Sequence, residues 1–121
     1  MKLSEHQQKF TRDLAQLINY AIAHEYLPVV TEVYRTKKTQ EEYYFKGKSK
    51  TLKSQHLKCL AADIYFYLNG KCLLKLKKED IGKVENLGLY WQGLSKYNRA
   101  GMFYKSFFDF PHFERLLKPR K

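Results

Sequence analysis

The sequence predicts an α+β domain in which helices pack on one face of a small antiparallel sheet and a metal site lies on the other. Two observations support this class: apolar residues recur at helical spacing near the N-terminus, and a strand-like run is followed by the hairpin dipeptide Asn69-Gly70. The chain has 121 residues, enough for one ordinary core. We therefore expect residues 1–121 to form a single domain with a short basic tail at Lys118–Lys121.

The first predicted element is an amphipathic helix. Ser4 and Gln7 form a capping-box start, and the apolar residues that follow keep helical spacing until the helix ends near Tyr26. We expect His6 and His24 on or near the solvated side of this helix, and the spacing of neither suggests a metal ligand.

A strand, a short helix and a basic loop should follow. Val29 to Tyr34 is short and β-branched, which predicts a strand with Arg35 at its end. Thr39 to Phe45 favours a helix, and Lys46 to Lys53 is typical of a flexible basic loop that borders a cleft. Gly-Lys-Ser occurs in this loop, but the upstream glycine of a phosphate-binding loop is missing, which argues against a nucleotide site.

The hairpin consists of two predicted strands, Ala61 to Leu68 and Lys71 to Leu76. Alternation places Ile64, Phe66 and Leu68 on the apolar face of the first strand. Asp63 falls on the opposite face. Cys72, on the second strand, is expected to be a small core residue.

The last third of the chain is less regular. Lys78 to Leu87 predicts a short helix closed by Gly88. Leu89 to Phe108 is rich in aromatic residues, and its Trp91 could line the cleft. Pro111 disfavours helix at the residue before it, so the segment from Pro111 to Glu114 should be extended.

Two separate stretches, Ser54 to Asp63 and Asp109 to Glu114, could supply the ligands of one metal ion. His56, Asp63 and His112 are two imidazoles and a carboxylate, a set that leaves a fourth tetrahedral position open for water, as catalytic zinc sites do. Seven residues of extended chain would hold His56 and Asp63 roughly 23 Å apart, so the chain must fold back between them. The alternative is that the histidines only hold structure.

These residues carry a resemblance to a known family. Ser-x-His-x6-Asp followed by Asp-x-x-His resembles the zinc D-Ala-D-Ala carboxypeptidases and L-alanyl-D-glutamate endopeptidases, which include phage endolysins and the vancomycin-resistance dipeptidase. Tyr34-Arg35-Thr36 with Gln40 resembles the family's arginine segment, and Ser106 to Glu114 its closing segment. The match runs from about Val30 to Glu114 and implies the Hedgehog/DD-peptidase-like fold, an antiparallel sheet flanked by helices.

The resemblance also implies roles. His56, Asp63 and His112 would bind Zn²⁺, Asp109 would be the general base for the metal-bound water, and Arg35 would stabilise the oxyanion. The residues expected to contact substrate are Ser54, Gln40 and Trp91.

Two alternatives concern single residues of this site. Glu114 shares the strand face of His112 by the two-residue period and is the alternative base. Cys59 stands where the family usually has glycine, and a non-glycine residue resists positive φ, so the turn can differ. Its thiol is also an alternative metal ligand.

The composition indicates an anionic partner. Twenty-three Lys and Arg against 12 Asp and Glu give a net charge of +11, which favours attraction to an anionic polymer. Nucleic acid and anionic cell-wall polymers fit this charge equally well. The sequence has no helix-turn-helix, zinc-finger or RNP-like motif, and the ligand set favours the wall. We expect a monomer that acts on the peptidoglycan stem peptide and does not bind nucleic acid.

The expected function is a zinc-dependent peptidoglycan peptidase, a phage-type endolysin that cleaves the L-Ala to D-Glu bond. The alternatives are a D-Ala-D-Ala carboxypeptidase and a nonenzymatic basic protein that binds nucleic acid or wall. The chain opens with a polar helix rather than a signal peptide, and no membrane span is expected. It would be made in the host cytoplasm and act on the wall after release or as a virion component.

Overall fold

The computed structural model describes residues 1–74, 76–105 and 107–121. The described residues form three α-helices, five strands and three short 3-10 helices. The α-helices are α1 (Leu3–Ala23), α2 (Lys37–Phe45) and α3 (Glu85–Leu94). The strands are β1 (Leu27–Glu32), β2 (Ala61–Leu68), β3 (Lys71–Cys72), β4 (Asn98–Ala100) and β5 (His112–Arg115). The 3-10 helices span Gln55–Lys58, Lys78–Lys83 and Gly101–Phe103.

The strands form one antiparallel sheet in the order β1-β2-β5-β4, and the short β3 pairs with the far end of β2. Alternation along β2 buries Ile64 and Phe66 fully and leaves Asp63 partly exposed on the opposite face. The predicted fold class is confirmed.

The core lies on the face of the sheet covered by α1 and α3. Trp91 of α3 lies edge-on to Phe10 of α1 at 5.7 Å between ring centroids, and edge-on to Phe113 of β5 at 6.0 Å. Both are favourable aromatic geometries. Because Phe113 points into this core, its strand neighbours His112 and Glu114 point to the other face, where the site lies.

Helix α3 differs from the prediction. The helix closed by Gly88 was expected to span Lys78 to Leu87, but α3 runs through Gly88 to Leu94. A Cβ on Gly88 would lie 2.6 Å from Met102 Sδ and 2.7 Å from the Phe103 ring. This glycine therefore permits close packing rather than ending the helix.

The first helix begins differently from the prediction. Ser4 lies inside α1, and the capping interaction is made by Glu5, whose carboxylate accepts from the backbone N–H of Lys2 at 3.1 Å. His24 is exposed as expected. His6 is buried, so its placement on the solvated side was wrong, and its Nδ1 accepts a hydrogen bond from Nε of Arg115 at 3.0 Å.

Two further expectations need correction. Cys72 is exposed, because β3 has only two residues and pairs with β2 alone, so it has no core to enter. The tail is not wholly solvated: Nη1 of Arg120 donates to the backbone carbonyls of Gln92, Ser95 and Asn98, between the last turn of α3 and the start of β4. Lys75 of the predicted second strand and Ser106 of the closing segment lie outside the described residues.

Within the ranges that the structure describes, no helix combines the length and the apolar character needed to cross a membrane.

Candidate metal centre

The chain folds back between His56 and Asp63 through the 3-10 turn Gln55–Lys58. Ser54 caps this turn, since its Oγ accepts from the backbone N–H of His56 at 3.2 Å. Cys59 ends it in the left-handed conformation, with φ of 55° and ψ of 39°. A non-glycine residue there costs about 1–2 kcal/mol, but the turn still closes. The chain therefore makes a left-handed turn with a non-glycine residue at this position.

Antiparallel pairing brings the second stretch to the first. Asp63 of β2 is the direct partner of His112 of β5, so both side chains project from the same face. His112 Nδ1 lies 3.2 Å from Asp63 Oδ1, and His56 Nε2 lies 3.3 Å from the same oxygen. The three ligand atoms lie within 4.8 Å of one another, close enough for one metal ion. Among the described residues, Cys59 does not belong to this group.

The outer nitrogen of each histidine fixes which nitrogen faces Asp63. Nδ1 of His56 lies 2.8 Å from the carbonyl oxygen of Val33, and Nε2 of His112 lies 2.8 Å from Glu114 Oε1. Both partners only accept, so these two nitrogens must carry hydrogen. When the rings are neutral, the inner nitrogens present lone pairs to an anionic oxygen. Such a set of converging acceptors requires a cation or added protons between them, so the residues fit a divalent metal.

The same contacts shift the pKa values of Asp63 and His112. Burial opposes ionisation of Asp63, but hydrogen bonds to His112 and His56 hold the pKa of its carboxyl well below the ordinary range. Burial alone would lower the pKa of His112, whereas hydrogen bonds to Asp63 and Glu114 raise it to about 9. In the absence of metal, protons therefore bind where a metal ion would bind, as expected when metal and protons compete.

Asp109 lines the same cleft as the three ligand residues. Its backbone holds the turn before β5: its N–H donates to the Gly101 carbonyl at 3.1 Å, and its carbonyl accepts from His112 N–H at 3.2 Å. A Cβ on Gly101 would lie 2.2 Å from the Asp109 carbonyl oxygen. Gly101 is therefore required for this close approach. Burial raises the pKa of the Asp109 carboxyl above its ordinary value.

Arg35 lies beside the ligand group and is 8% exposed. Its backbone N–H donates to the His56 carbonyl at 3.1 Å, which ties the segment after β1 to the 3-10 turn. The strand ends at Glu32, three residues before Arg35, rather than at Tyr34 as predicted. Its Nε and Nη2 donate to Glu32, Nη1 donates to Gln40 Oε1 at 2.7 Å, and Nη2 lies 3.7 Å from Asp63 Oδ2. The Tyr43 ring stacks on the guanidinium at 4.6 Å. Arg35 is thus held rigidly next to one ligand.

The structure pairs both oxygens of Glu114. Oε1 accepts from His112, and Oε2 accepts from Nε of Arg99 at 2.6 Å. Nη2 of Arg99 lies 2.6 Å from the same oxygen in an ion pair. Burial raises the pKa of Glu114, but the contacts with His112 and Arg99 outweigh it and lower the pKa overall. Glu114 shares the strand face of His112 as predicted, but its geometry is that of an orienting carboxylate rather than a free base.

Two residues expected to contact substrate lie out of reach. Gln40 is fully buried; it accepts from Arg35 and donates to Ser49 Oγ at 2.9 Å and to the Thr51 carbonyl at 2.6 Å. Trp91 is fully buried in the core, where its Nε1 donates to the Glu114 carbonyl at 3.1 Å. Neither side chain lines the cleft in this structure. Ser54 lines the cleft while it caps the turn.

The cleft has a volume of about 1390 Å³, larger than the roughly 300–1,000 Å³ of a small-molecule pocket. Loop lysines line one side, as the sequence predicted. The sequence reasoning missed Glu32, Tyr43, Arg99 and Tyr104, which also line the cleft. No local motif identifies them, because each reaches the site through a long-range arrangement: strand pairing for Glu32 and Arg99, the packing of α2 for Tyr43, and the segment between β4 and β5 for Tyr104.

The fold is similar to that of a solved enzyme. The crystal structure of the L-Ala D-Glu endopeptidase ChiX from Serratia marcescens superposes with a TM-score of 0.66 at 22% sequence identity, over 95% of this chain and 86% of ChiX. At this identity the likeness establishes a shared fold. No family model and no curated protein sequence matches the chain.

Proposed function

We propose that this chain is a zinc-dependent peptidase that hydrolyses the stem peptide of bacterial peptidoglycan at the L-Ala to D-Glu bond, in the manner of a phage endolysin. The observation that carries the proposal is the His56, Asp63 and His112 group, whose ligand atoms lie within 4.8 Å at the base of an open cleft. The fold shared with an L-Ala D-Glu endopeptidase supports the choice of substrate.

The ligand group would hold the metal through His56 Nε2, Asp63 and His112 Nδ1. A bound zinc ion supplies Lewis-acid chemistry, which makes a water molecule more acidic and polarises a carbonyl group. The protein keeps the two histidines in the required tautomers through the Val33 carbonyl and Glu114. Loss of either partner would let an imidazole rotate or change tautomer.

Asp109 would act as the proton carrier. Its carboxylate lies in the cleft with His112 and Asp63, and its raised pKa makes it easier to protonate than an ordinary aspartate. It would take a proton from the attacking water and deliver it to the nitrogen of the departing amine. Glu114 is less suited to this role, because both of its oxygens are already paired, with His112 and with Arg99.

Arg35 would stabilise the negative charge that develops on the carbonyl oxygen of the substrate. Its side chain is already ordered by Glu32, Gln40 and Tyr43, so it need not reorganise during the reaction. Ser54 would help to position substrate near the turn that it caps.

The test is digestion of purified peptidoglycan, with the new termini identified by mass spectrometry. A free N-terminal glutamate is the expected result with the zinc-loaded protein, and His56→Ala should abolish it, whereas the exposed and remote His24→Ala should not. Released D-alanine would instead identify a carboxypeptidase. Intact peptidoglycan after treatment with the zinc-loaded protein would contradict the proposal.

The site of action follows from the substrate. An enzyme of this kind acts on the cell wall, either after release from the host cytoplasm or as a virion component. The net charge of +11 favours contact with anionic wall polymers. Binding to isolated walls that weakens steeply with added salt would support this part of the proposal.

A further inference from the structure

Three arginines line the cleft, and their guanidinium groups are used very differently. Nε, Nη1 and Nη2 of Arg35 all donate to Glu32 or Gln40. Nη1 of Arg120 donates to three backbone carbonyls. Arg99 uses only Nε and Nη2, and both contact the same oxygen of Glu114. Across the described parts of the chain, Glu114 is the only carboxylate that pairs with Arg99, and the other polar side chain that interacts with the guanidinium is that of Tyr104.

Strand pairing holds Arg99 in place. Arg99 of β4 is the direct partner of Glu114 of β5, and Glu114 in turn bonds His112. The Tyr104 ring stacks on the guanidinium at 4.8 Å, which fixes its plane. The side chain is nevertheless 46% exposed and lines the cleft. The outer edge of the guanidinium, with Nη1 and the second N–H of Nη2, is therefore available to a ligand.

A planar fork of two N–H donors matches a carboxylate, which accepts both hydrogen bonds at once. The cleft's own Asp and Glu side chains do not occupy this outer edge of Arg99. Glu32 is paired with Arg35, Glu114 uses the inner edge of Arg99, and Asp63 and Asp109 lie at the ligand group. Arg99 is two hydrogen bonds away from His112, so a group bound there would belong to a substrate residue near the cleaved bond.

We propose that the outer edge of Arg99 is a carboxylate-binding site that recognises the free carboxylate of the D-Glu residue next to the cleaved bond. The proposal rests on the proposed function for its choice of substrate. A D-Glu residue uses only one of its carboxyl groups in a linear peptide linkage, so the other stays ionised at neutral pH. Recognition by Arg99 would make the protein select an acidic peptide over its uncharged amide.

The experiment compares two synthetic stem peptides that differ only in this carboxyl group, which is free in one and a carboxamide in the other. The ratio of their kcat/KM values isolates recognition of the carboxylate. We expect the wild-type protein to prefer the acid about tenfold to a hundredfold, as for a hydrogen bond to a charged group. In Arg99→Gln the two peptides should be cleaved nearly equally.

The ratio separates two effects of Arg99. Because Arg99 also orients Glu114, its loss is expected to slow the cleavage of both peptides, which leaves the ratio unchanged. Only the loss of a carboxylate contact lowers the ratio. Arg99→Lys keeps the charge without the fork and should retain part of the preference. Lys105→Gln removes an exposed charge from the cleft and serves as the matched control, which should keep the full preference.

Binding provides the second readout. Calorimetry with zinc-loaded Asp109→Asn measures the affinity for both peptides without turnover, with and without Arg99→Gln. Selective binding of the acid that depends on Arg99, without cleavage by the wild-type protein, would support this site and contradict the proposed function. Cleavage without preference for the acid, or a preference that persists in Arg99→Gln, would overturn the site alone. Failure to bind either peptide would overturn both.

Discussion

Nε2 of His112 lies 2.8 Å from Oε1 of Glu114, the residue two positions further along the same strand. The strand period places both side chains on one face, and the carboxylate leaves Nδ1 of His112 directed at Asp63. Glu114 is itself held by Arg99 from the neighbouring strand. A chain of contacts across two strands therefore fixes the orientation of one ligand.

Glu114→Ala should weaken zinc binding by about 10- to 100-fold, the usual effect of losing a partner that orients a ligating histidine. Competition with a chromophoric chelator measures this affinity. Glu114→Gln keeps an oxygen that can accept from His112 but removes the charge, so its loss should be smaller. Glu41→Gln, on the exposed surface of α2, is the control. Unchanged zinc affinity in Glu114→Ala would show that Glu114 does not support metal binding by His112.

Arg35→Ala should lower kcat about a hundredfold or more, as the loss of one oxyanion donor does in other enzymes. Its zinc content should stay near that of the wild type, because Arg35 is not a ligand. Arg12→Ala, whose side chain is 64% exposed, controls for the loss of one positive charge. A kcat close to that of the wild type in Arg35→Ala would show that the arginine only holds the structure.

Gly101→Ala should destabilise the protein and disturb the site. The new methyl group would lie 2.2 Å from the Asp109 carbonyl oxygen, so the turn that carries Asp109 and His112 must shift, at about 1–3 kcal/mol. Gly93→Ala is the matched control, because nothing lies within 4 Å of a Cβ there. Alanine should stabilise the helix by up to about 1 kcal/mol relative to glycine. Thermal unfolding measures both. Equal stability of the two variants would contradict the close approach.

His6 should make the stability depend on pH. Burial, and then the charge of Arg115, lower the pKa of His6 below its ordinary value of 6.5. Between the lowered pKa and about 6.5, the unfolded state binds more protons than the folded state, so the free energy of unfolding rises with pH. This stability is fully present above 6.5 and is lost as the pH falls towards the folded-state pKa.

His6→Gln isolates this effect, because glutamine can still accept a hydrogen bond from Arg115 but does not titrate. The free energy of unfolding, measured with urea from pH 5 to pH 7, should rise less steeply in the variant than in the wild type. The difference between the two proteins cancels the contribution of His112, whose pKa is raised in the folded state. Parallel profiles would mean that His6 titrates alike in both states.

The sequence was most informative where the signal was local. The alternation in β2 and the Asn69-Gly70 turn predicted the hairpin, because period and turn chemistry are properties of neighbouring residues. The convergence of His56, Asp63 and His112 was predicted because their two stretches each hold a compact motif. Cys59 shows the limit of such reasoning, since a residue that resists positive φ adopts it where the surrounding structure requires it.

The failures concern contacts between distant segments. Glycine commonly ends helices, so Gly88 was predicted to end one. Only its proximity to Met102 shows that it permits close packing. The sequence patterns placed Trp91 and Gln40 in the site, but both side chains are fully buried. Arg99 carries no motif, and its place depends on the register between β4 and β5, which the residues of either strand alone do not specify.

The central claim is that His56, Asp63 and His112 together hold one divalent metal ion. The most direct measurement is the zinc content of the purified native protein by mass spectrometry of the intact complex. The claim predicts about one zinc ion per chain, its loss in His56→Ala and in His112→Ala, and its retention in His24→Ala. A native protein that is fully folded, binds no zinc when the ion is supplied, and is unaffected by these substitutions would contradict it.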